Sequence, residues 1–481
     1  MKTKFKVPQL GKTAGATTTY IVLAGLQRGL SLLLLPFFTH ALNPSEYGAA
    51  SMLTVSSAVL MTLVAAPLAS LIIRSAARNT EDGPALIRVI GTYCYFLIPI
   101  FSSCIAAVFA LFVPHFIGVD GHIWAIEILA LGLGPALSVF GMYVTQAQQD
   151  IRRFITLSIF SVLVMTTFRI LFIVVWEKGI LGWVLADLVA GTLSYIFAIC
   201  LVRLPQVQMR KSHVRYAVKY TLPLIPHSAS LWALNSISRP TLSTVSNLQQ
   251  VGLLSIGLNL SQFAGMILME SNRAALVRYS RETLPAPTHE TRQVVKWQIL
   301  GALLVPAVVG CAIATLGPKI VEESYLPSLA LSGVLLIGNA AYGLYLIPMN
   351  YLTQTAAITR YNAFASFSGA AVLFASLLFV GHRFGATGAA YATSASYIVM
   401  ASMAVAITLN QKIDIQWRSW TRNWPEITLA FCALACVTVA LASSASQRLT
   451  SILVIPCVLL ILSSIALTIK RTEPRVPRSH E

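Results

Sequence analysis

The feature that most limits what this chain can become is a succession of apolar runs, each about as long as a bilayer is thick. A hydrocarbon core of roughly 30 Å takes about 20 apolar residues in a helix. Runs of that kind occupy residues 17–42, 47–73, 88–114, 123–148, 154–176, 180–202, 218–245, 250–276, 296–316, 326–353, 361–381, 386–409, 426–444 and 449–469. That makes fourteen spans joined by short connections, with no stretch left over for a soluble domain. Inside hydrocarbon every backbone N–H and C=O has to be bonded within the protein, and runs of this length satisfy that as helices. The sequence therefore predicts an all-α integral membrane protein of about 14 transmembrane helices.

Charge placement orients the spans. In the loops on one side, the Lys and Arg residues are Lys178, Lys319, Arg383 and Arg448; nearly all the others fall in the N-terminal tail, the opposite loops and the C-terminal tail. By the positive-inside rule both termini are expected in the cytoplasm. The same asymmetry accounts for the net charge of +17. Short basic clusters between apolar runs do not form the single patch that a nucleic acid needs, so no nucleic-acid partner is expected. All seven Cys (94, 104, 200, 311, 432, 436 and 457) sit inside apolar runs without paired spacing or a nearby His cluster. They read as buried packing residues, with neither a metal nor a cofactor implied. Thirteen further apolar runs follow the first, which argues against a cleaved secretory signal.

The two halves of the chain repeat one another at an offset of 204 to 208 residues. At 204, Pro36 falls on Pro240, Asn43 on Asn247, Gly48 on Gly252 and Arg74 on Arg278. At 208, Tyr143-Val144-Thr145-Gln146 and Arg152 fall on Tyr351-Leu352-Thr353-Gln354 and Arg360, and at 206 Gly179 and Gly182 fall on Gly385 and Gly388. Six spans separate equivalent positions, so both copies enter the membrane in the same sense and a pseudo-twofold axis along the membrane normal is expected. The domain expectation is a six-helix bundle over 1–204, a second over 205–411, and helices 13 and 14 with a basic cytoplasmic tail over 412–481.

Paired bundles of this kind are a recurring transporter design, with substrate between them and alternating access by rocking. Ionisable residues within spans are costly and mark candidate sites. Arg28 lies near the middle of span 1, about 12 residues or roughly 18 Å from either end. Arg239 sits in span 7 directly before Pro240, whose ring removes a backbone hydrogen bond and favours a bend, as Pro36 does in span 1. A guanidinium is a permanent, planar fork suited to phosphate oxygens, so Arg28 and Arg239 are candidates for an anionic headgroup, against the plainer role of satisfying carbonyls or acids in the bundle. Arg74 and Arg278, at the inner ends of spans 2 and 8, rank second, because anchoring to lipid phosphates explains them equally well.

Arg169 in span 5 and Asp187 in span 6 lie at equal depth toward the outside, which permits an ion pair, and Glu127 in span 4 can approach from the same side. Such a pair either holds the bundle together or exchanges partners during rocking and takes up H+ or Na+. Trp124, Trp176 and Trp183 near the outer boundary, and Trp417, Trp420 and Trp424 near the inner one, read as aromatic belts. Trp232 is mid-span, where helix packing competes with stacking on a sugar face.

These residues resemble a known family. Leu34-Leu35-Pro36, Leu42, Pro44, Glu46-Tyr47-Gly48 and the run Leu71-Ile72-Ile73-Arg74, with Phe384-Gly385-Ala386-Thr387-Gly388-Ala389-Ala390 before span 12, are similar to bacterial polysaccharide-transport flippases. These are the O-antigen and capsule repeat-unit translocases of the multidrug/oligosaccharidyl-lipid/polysaccharide exporter superfamily. The resemblance implies a non-enzymatic flippase of the bacterial inner membrane. Its cargo would be an undecaprenyl-diphosphate-linked oligosaccharide, a polyprenyl-diphosphate lipid, moved to the periplasmic leaflet through a cationic cavity. Spans 13 and 14 would help to form a groove for the polyprenyl tail, and the polymerase and chain-length machinery would be partners. A lipid II-type flippase and a small-molecule exporter are the alternatives within the superfamily. A membrane-embedded polysaccharide polymerase is the alternative outside it, although its chemistry would need converging acids or a base with its nucleophile, usually on a larger outer loop.

Overall fold

The computed structural model describes residues 33–60, 66–77, 83–148, 150–202, 210–222, 236–280, 288–356, 360–415, 423–442 and 447–472, with single positions at 225, 229, 232, 233 and 282. These residues are helical apart from turns and one two-stranded hairpin, and the chain divides into two compact units, Met1–Gly252 and Leu253–Glu481.

The first unit runs α1 (Leu35–Ala41), α2 (Pro44–Leu60), α3 (Ala66–Ala77), α4 (Gly83–Phe112), β1 (His115–Phe116), β2 (Val119–Asp120), α5 (Gly121–Ala147), α6 (Ile151–Val175), α7 (Gly179–Val202), α8 (Lys211–Thr221) and α9 (Ser238–Val245), and holds the first turn of α10 (Leu248–Ser280). Its core gathers Leu71 and Ile72 of α3, Ile90, Cys94 and Tyr95 of α4, Leu137 and Phe140 of α5 and Leu157 of α6.

The α1–α2 corner follows from its sequence. Asn43 caps α2: its Oδ1 accepts from the Glu46 N–H at 2.9 Å, and Glu46 Oε2 accepts from the Asn43 N–H at 3.0 Å. This is a capping box, with Pro44 at the first helical position, where its missing N–H costs nothing. The repeat carries the same device, since Asn247 Oδ1 accepts from the Gln250 N–H at 3.0 Å at the start of α10. A turn at Leu34 precedes Pro36 by two residues, and one at Ile237 precedes Pro240 by three. Neither proline can donate to the carbonyl four residues back.

The two capped helix starts touch. A Cβ on Gly48 would stand 1.9 Å from the Leu248 carbonyl oxygen, and one on Gly252 would stand 1.9 Å from the Pro44 carbonyl oxygen. The contact is reciprocal at the repeat offset: 44 is to 248 as 48 is to 252. Only glycine leaves room for backbones this close.

Residues 218–221, the expected start of span 7, belong to α8, whose C-cap is Leu222.

The second unit continues α10 and adds α11 (His289–Ile320), α12 (Glu323–Thr355), α13 (Arg360–Ser376), a π-helical turn (Leu377–Gly381), α14 (His382–Asn410), α15 (Trp424–Ala442) and α16 (Gln447–Thr472). α14 packs on α12 and α13, while α15 and α16 pair and both lie against α11. Buried amides pin the helices near one end: Asn350 donates to Asn272 Oδ1 at 2.7 Å and Gln298 to the same oxygen at 2.9 Å. Asn339 of α12 bridges to α10, donating to the Ser261 carbonyl at 3.0 Å.

Ten helices among the described residues are long and apolar enough to cross a membrane. One of them, Phe364–Asn410, covers the expected spans 11 and 12, broken at Gly385 (φ 55°, ψ −132°). Spans 1, 2 and 7 include residues outside the described set. Phe101, Phe112, Phe364, Phe367 and Phe379 are exposed on helix surfaces, as a lipid-facing exterior requires. The cysteines correct an expectation: Cys94, Cys311 and Cys457 are buried, but Cys104, Cys200 and Cys432 are exposed on helix faces and Cys436 is intermediate. An apolar run does not reveal which of its residues face lipid.

Candidate functional site

Within the first unit, α6 and α7 bring one charge each to a shared depth. Arg169 ends the regular part of α6, and Ile170–Val175 winds on as a π-helical turn, a form frequent at functional sites. Its Nε donates to Asp187 Oδ1 and its Nη2 to Asp187 Oδ2, each at 3.0 Å. The Arg169 and Asp187 side chains are largely shielded, at 21% and 11% exposure. A two-point fork of this kind is the strong form of an Arg–carboxylate bond.

Trp183 lies one helical turn before Asp187, on the same face of α7. While its edge bonds the carboxylate, the Arg169 guanidinium lies 4.0 Å from the centre of the Trp183 ring, within cation–π range. The indole packs on Phe38 of α1 (5.5 Å between centroids) and edge-on to Tyr47 of α2 (6.4 Å). Arg239, on α9 of the same unit, is half-buried directly before Pro240. Arg169 is neutralised by an acid.

Trp183 was expected in an outer aromatic belt, and the structure corrects this. It is 5% exposed, as is Trp124, which donates to the Phe116 carbonyl at 2.8 Å, whereas Trp176 is 54% exposed. The four-residue spacing of Trp183 and Asp187 was the available signal. Tyr47, the other ring at this site, carried no sign in the sequence beyond its place in the family motif.

The remaining candidates are distributed as follows. Glu127 is buried in α5, which packs on the α7 helix of Asp187. Arg28 lies outside the described residues, and of Arg74 only the backbone, within α3, is described. Trp232 is half-buried at a helical position. Arg278, in the second unit, is bound into a clasp at the end of α10. It reaches Glu290 at 2.5 Å, donates to Thr291 Oγ1 at 3.1 Å and bonds Thr288 Oγ1. Glu282 gathers the Thr288 N–H and hydroxyl, each at 3.0 Å, and the Thr291 hydroxyl. The fork of Arg278 is therefore spent on closing its own loop.

The described residues form an all-α, multi-pass architecture of membrane-length apolar helices, and solved structures share this fold. The fold is similar to that of the lipid II flippase MurJ in an inward closed conformation, with a TM-score of 0.69 at 12% identity over 94% of this chain and 99% of that one. It is also similar to an inward-facing multidrug resistance MATE family transporter of the MOP superfamily (TM-score 0.59, 11% identity, 80% and 94% covered) and to the MATE multidrug transporter DinF-BH (0.56, 14%, 85% and 98%). Identities this low relate the folds alone. Comparison with curated protein sequences gives no match. The sequence profile described as polysaccharide biosynthesis protein matches residues 14–284; this is more than half of the chain, which belongs to that family.

Proposed function

We propose that this chain is a flippase for a lipid-linked oligosaccharide in a bacterial cytoplasmic membrane, with both termini in the cytoplasm. It would carry a polyprenyl-diphosphate-linked repeat unit to the outer leaflet by alternating access. The observation that supports this most is the pairing of a polysaccharide biosynthesis sequence with a transporter fold shared with a lipid II flippase. Polysaccharide assembly needs a step that moves a charged, sugar-bearing lipid across hydrocarbon, where desolvation forbids spontaneous passage.

In this reading Arg28 and Arg239 receive the diphosphate, Arg74 and Arg278 are second-rank cations for it, Arg278 after release from Glu290, and Trp232 offers a face for sugar stacking. Pro36 and Pro240 let the first helices of the two repeats bend, and α15 and α16 border a path for the prenyl tail. Asp187 supplies ion coupling, with Glu127 nearby: uptake of H+ or Na+ would release Arg169 from its fork and leave the cation to the Trp183 ring. The two repeated bundles, 1–204 and 205–411, rock against each other with 412–481 attached to the second. A lipid II-type flippase would use the same parts with a different sugar, and a small-molecule exporter would have no need of the tail path.

The test is deletion of the gene in a cell that makes a surface glycan. Loss of the glycan with the lipid-linked unit accumulating toward the cytoplasm is the expected result. Normal amounts of unpolymerised unit in the outer leaflet would instead assign a polymerase.

A further inference from the structure

α8 has a surface that the transport reading leaves unused. Its sequence is KSHVRYAVKYT. At 3.6 residues per turn, Lys211, Arg215 and Lys219 stand at i, i+4 and i+8 and share one side of the helix. All three are exposed, as is Arg210 just before them. The opposite side carries Ala217 and Tyr220, which pack into the core of the first unit, where α8 lies against α3 and α4. The row is therefore held on a fixed platform.

Three further observations say what covers it. First, α8 contains no acidic residue, and the ion pairs found among the described residues do not involve its three cations. Second, the row is flanked by Val218 on one side and Tyr216 on the other, at 52% and 44% exposure. Third, α8 follows α7 in the chain, a helix long and apolar enough to cross a membrane that ends at Val202, with only residues 203–210 between it and Lys211. Cations in line, with an apolar side chain and an aromatic ring beside them, match the layered chemistry of a bilayer boundary.

We propose that the α8 row Lys211, Arg215 and Lys219 docks the anionic phospholipid headgroups of the adjoining leaflet. The occupant is resident lipid and not cargo, so the proposal stands or falls separately from the flippase reading. Each cation near an anionic surface contributes about a fivefold enrichment of such lipid.

The test uses the full-length protein in nanodiscs of phosphatidylcholine with increasing phosphatidylglycerol, read by hydrogen–deuterium exchange of the amides of residues 211–221. Exchange is expected to slow as phosphatidylglycerol rises and to return to the phosphatidylcholine level in 0.5 M salt. The triple variant Lys211→Gln, Arg215→Gln and Lys219→Gln should lose the response, whereas Lys211→Arg with Lys219→Arg should keep it. Exchange that ignores phosphatidylglycerol, or a response that survives in the triple Gln variant, overturns the proposal. Slowing on addition of a polyglutamate peptide in neutral discs, with none from phosphatidylglycerol, would reassign the surface to an acidic protein segment.

Discussion

Placing a methyl group on Gly48 tests the close approach of the two capped helix starts. The Cβ of Gly48→Ala would lie 1.9 Å from the Leu248 carbonyl oxygen, 2.8 Å from its carbon and 3.0 Å from the Gly252 nitrogen. Carbon and carbonyl oxygen settle no closer than about 3.3 Å, so the two helix starts have to part by about 1.4 Å. No side-chain rotation relieves the clash, because the obstacle is backbone. Overpacking of this kind costs about 1–3 kcal/mol. Separation would also draw the Leu248 side chain, whose Cγ stands 3.3 Å from the position of a Gly118 Cβ, away from the β1–β2 turn.

Gly252→Ala meets the mirror-image obstacle, the Pro44 carbonyl at 1.9 Å, and should cost the same. The informative case is the double variant. Once one methyl has parted the helices the second enters vacated space, so the pair should cost little more than the worse single change, a departure from additivity of about 1 kcal/mol or more. Thermal unfolding in detergent, followed by a thiol dye reaching buried Cys94, Cys311 and Cys457, measures all three. Single variants with the parent midpoint, or a double variant whose loss is the sum of its parts, would refute the reasoning.

Asp187→Asn leaves the Arg169 guanidinium shielded without its carboxylate and should cost about 3–5 kcal/mol, while the added change Arg169→Gln should recover most of it; unaltered dependence of transport on the ion gradient in a folded Asp187→Asn protein would remove the coupling role. Trp183→Ala, which empties the space between Arg169, Phe38 and Tyr47, should lose about 3–5 kcal/mol in the same unfolding assay, with Trp183→Phe losing less. Asn43→Ala and Asn247→Ala each remove a helix cap, and each should lower stability by about 1 kcal/mol; a silent cap change would show that the box adds nothing to that helix start. Arg28→Ala should abolish surface-glycan complementation at normal protein level and Arg28→Lys should retain part of it, whereas full activity of Arg28→Ala would take it out of the site.

Much of this architecture was legible because the bilayer imposes a length and the duplication imposes a spacing. Asn43 and Asn247 share a capping role, and Gly179 and Gly385 share a positive φ, 56° and 55°, as the offsets imply. That Gly48 and Gly252 touch was not legible, since equivalence in a repeat says nothing of distance. Trp183 was misplaced because hydropathy locates a residue by depth and is blind to its direction around the helix axis. The π-helical turns after Arg169 and Ser376 were unreadable for a similar reason: one extra residue in a turn of uniformly apolar sequence disturbs no pattern. The Arg169–Asp187 pair was foreseeable in depth, but its fork geometry and its seat on an indole belong to the fold.

That pair also bears on how the chain enters its membrane. Three residues, Trp176, Glu177 and Lys178, separate α6 from α7, with Glu177 in the left-handed region at φ 50°. Taken singly, each helix would carry a charge into hydrocarbon at a cost of about 2.5–3.5 kcal/mol. Folded back on each other as a hairpin, they present the insertion machinery with a locally neutral object. Membrane integration of α6 and α7 is therefore expected to be a joint event. A ribosome-stalled chain that ends between them should hold α6 poorly, and the release of α7 should secure both.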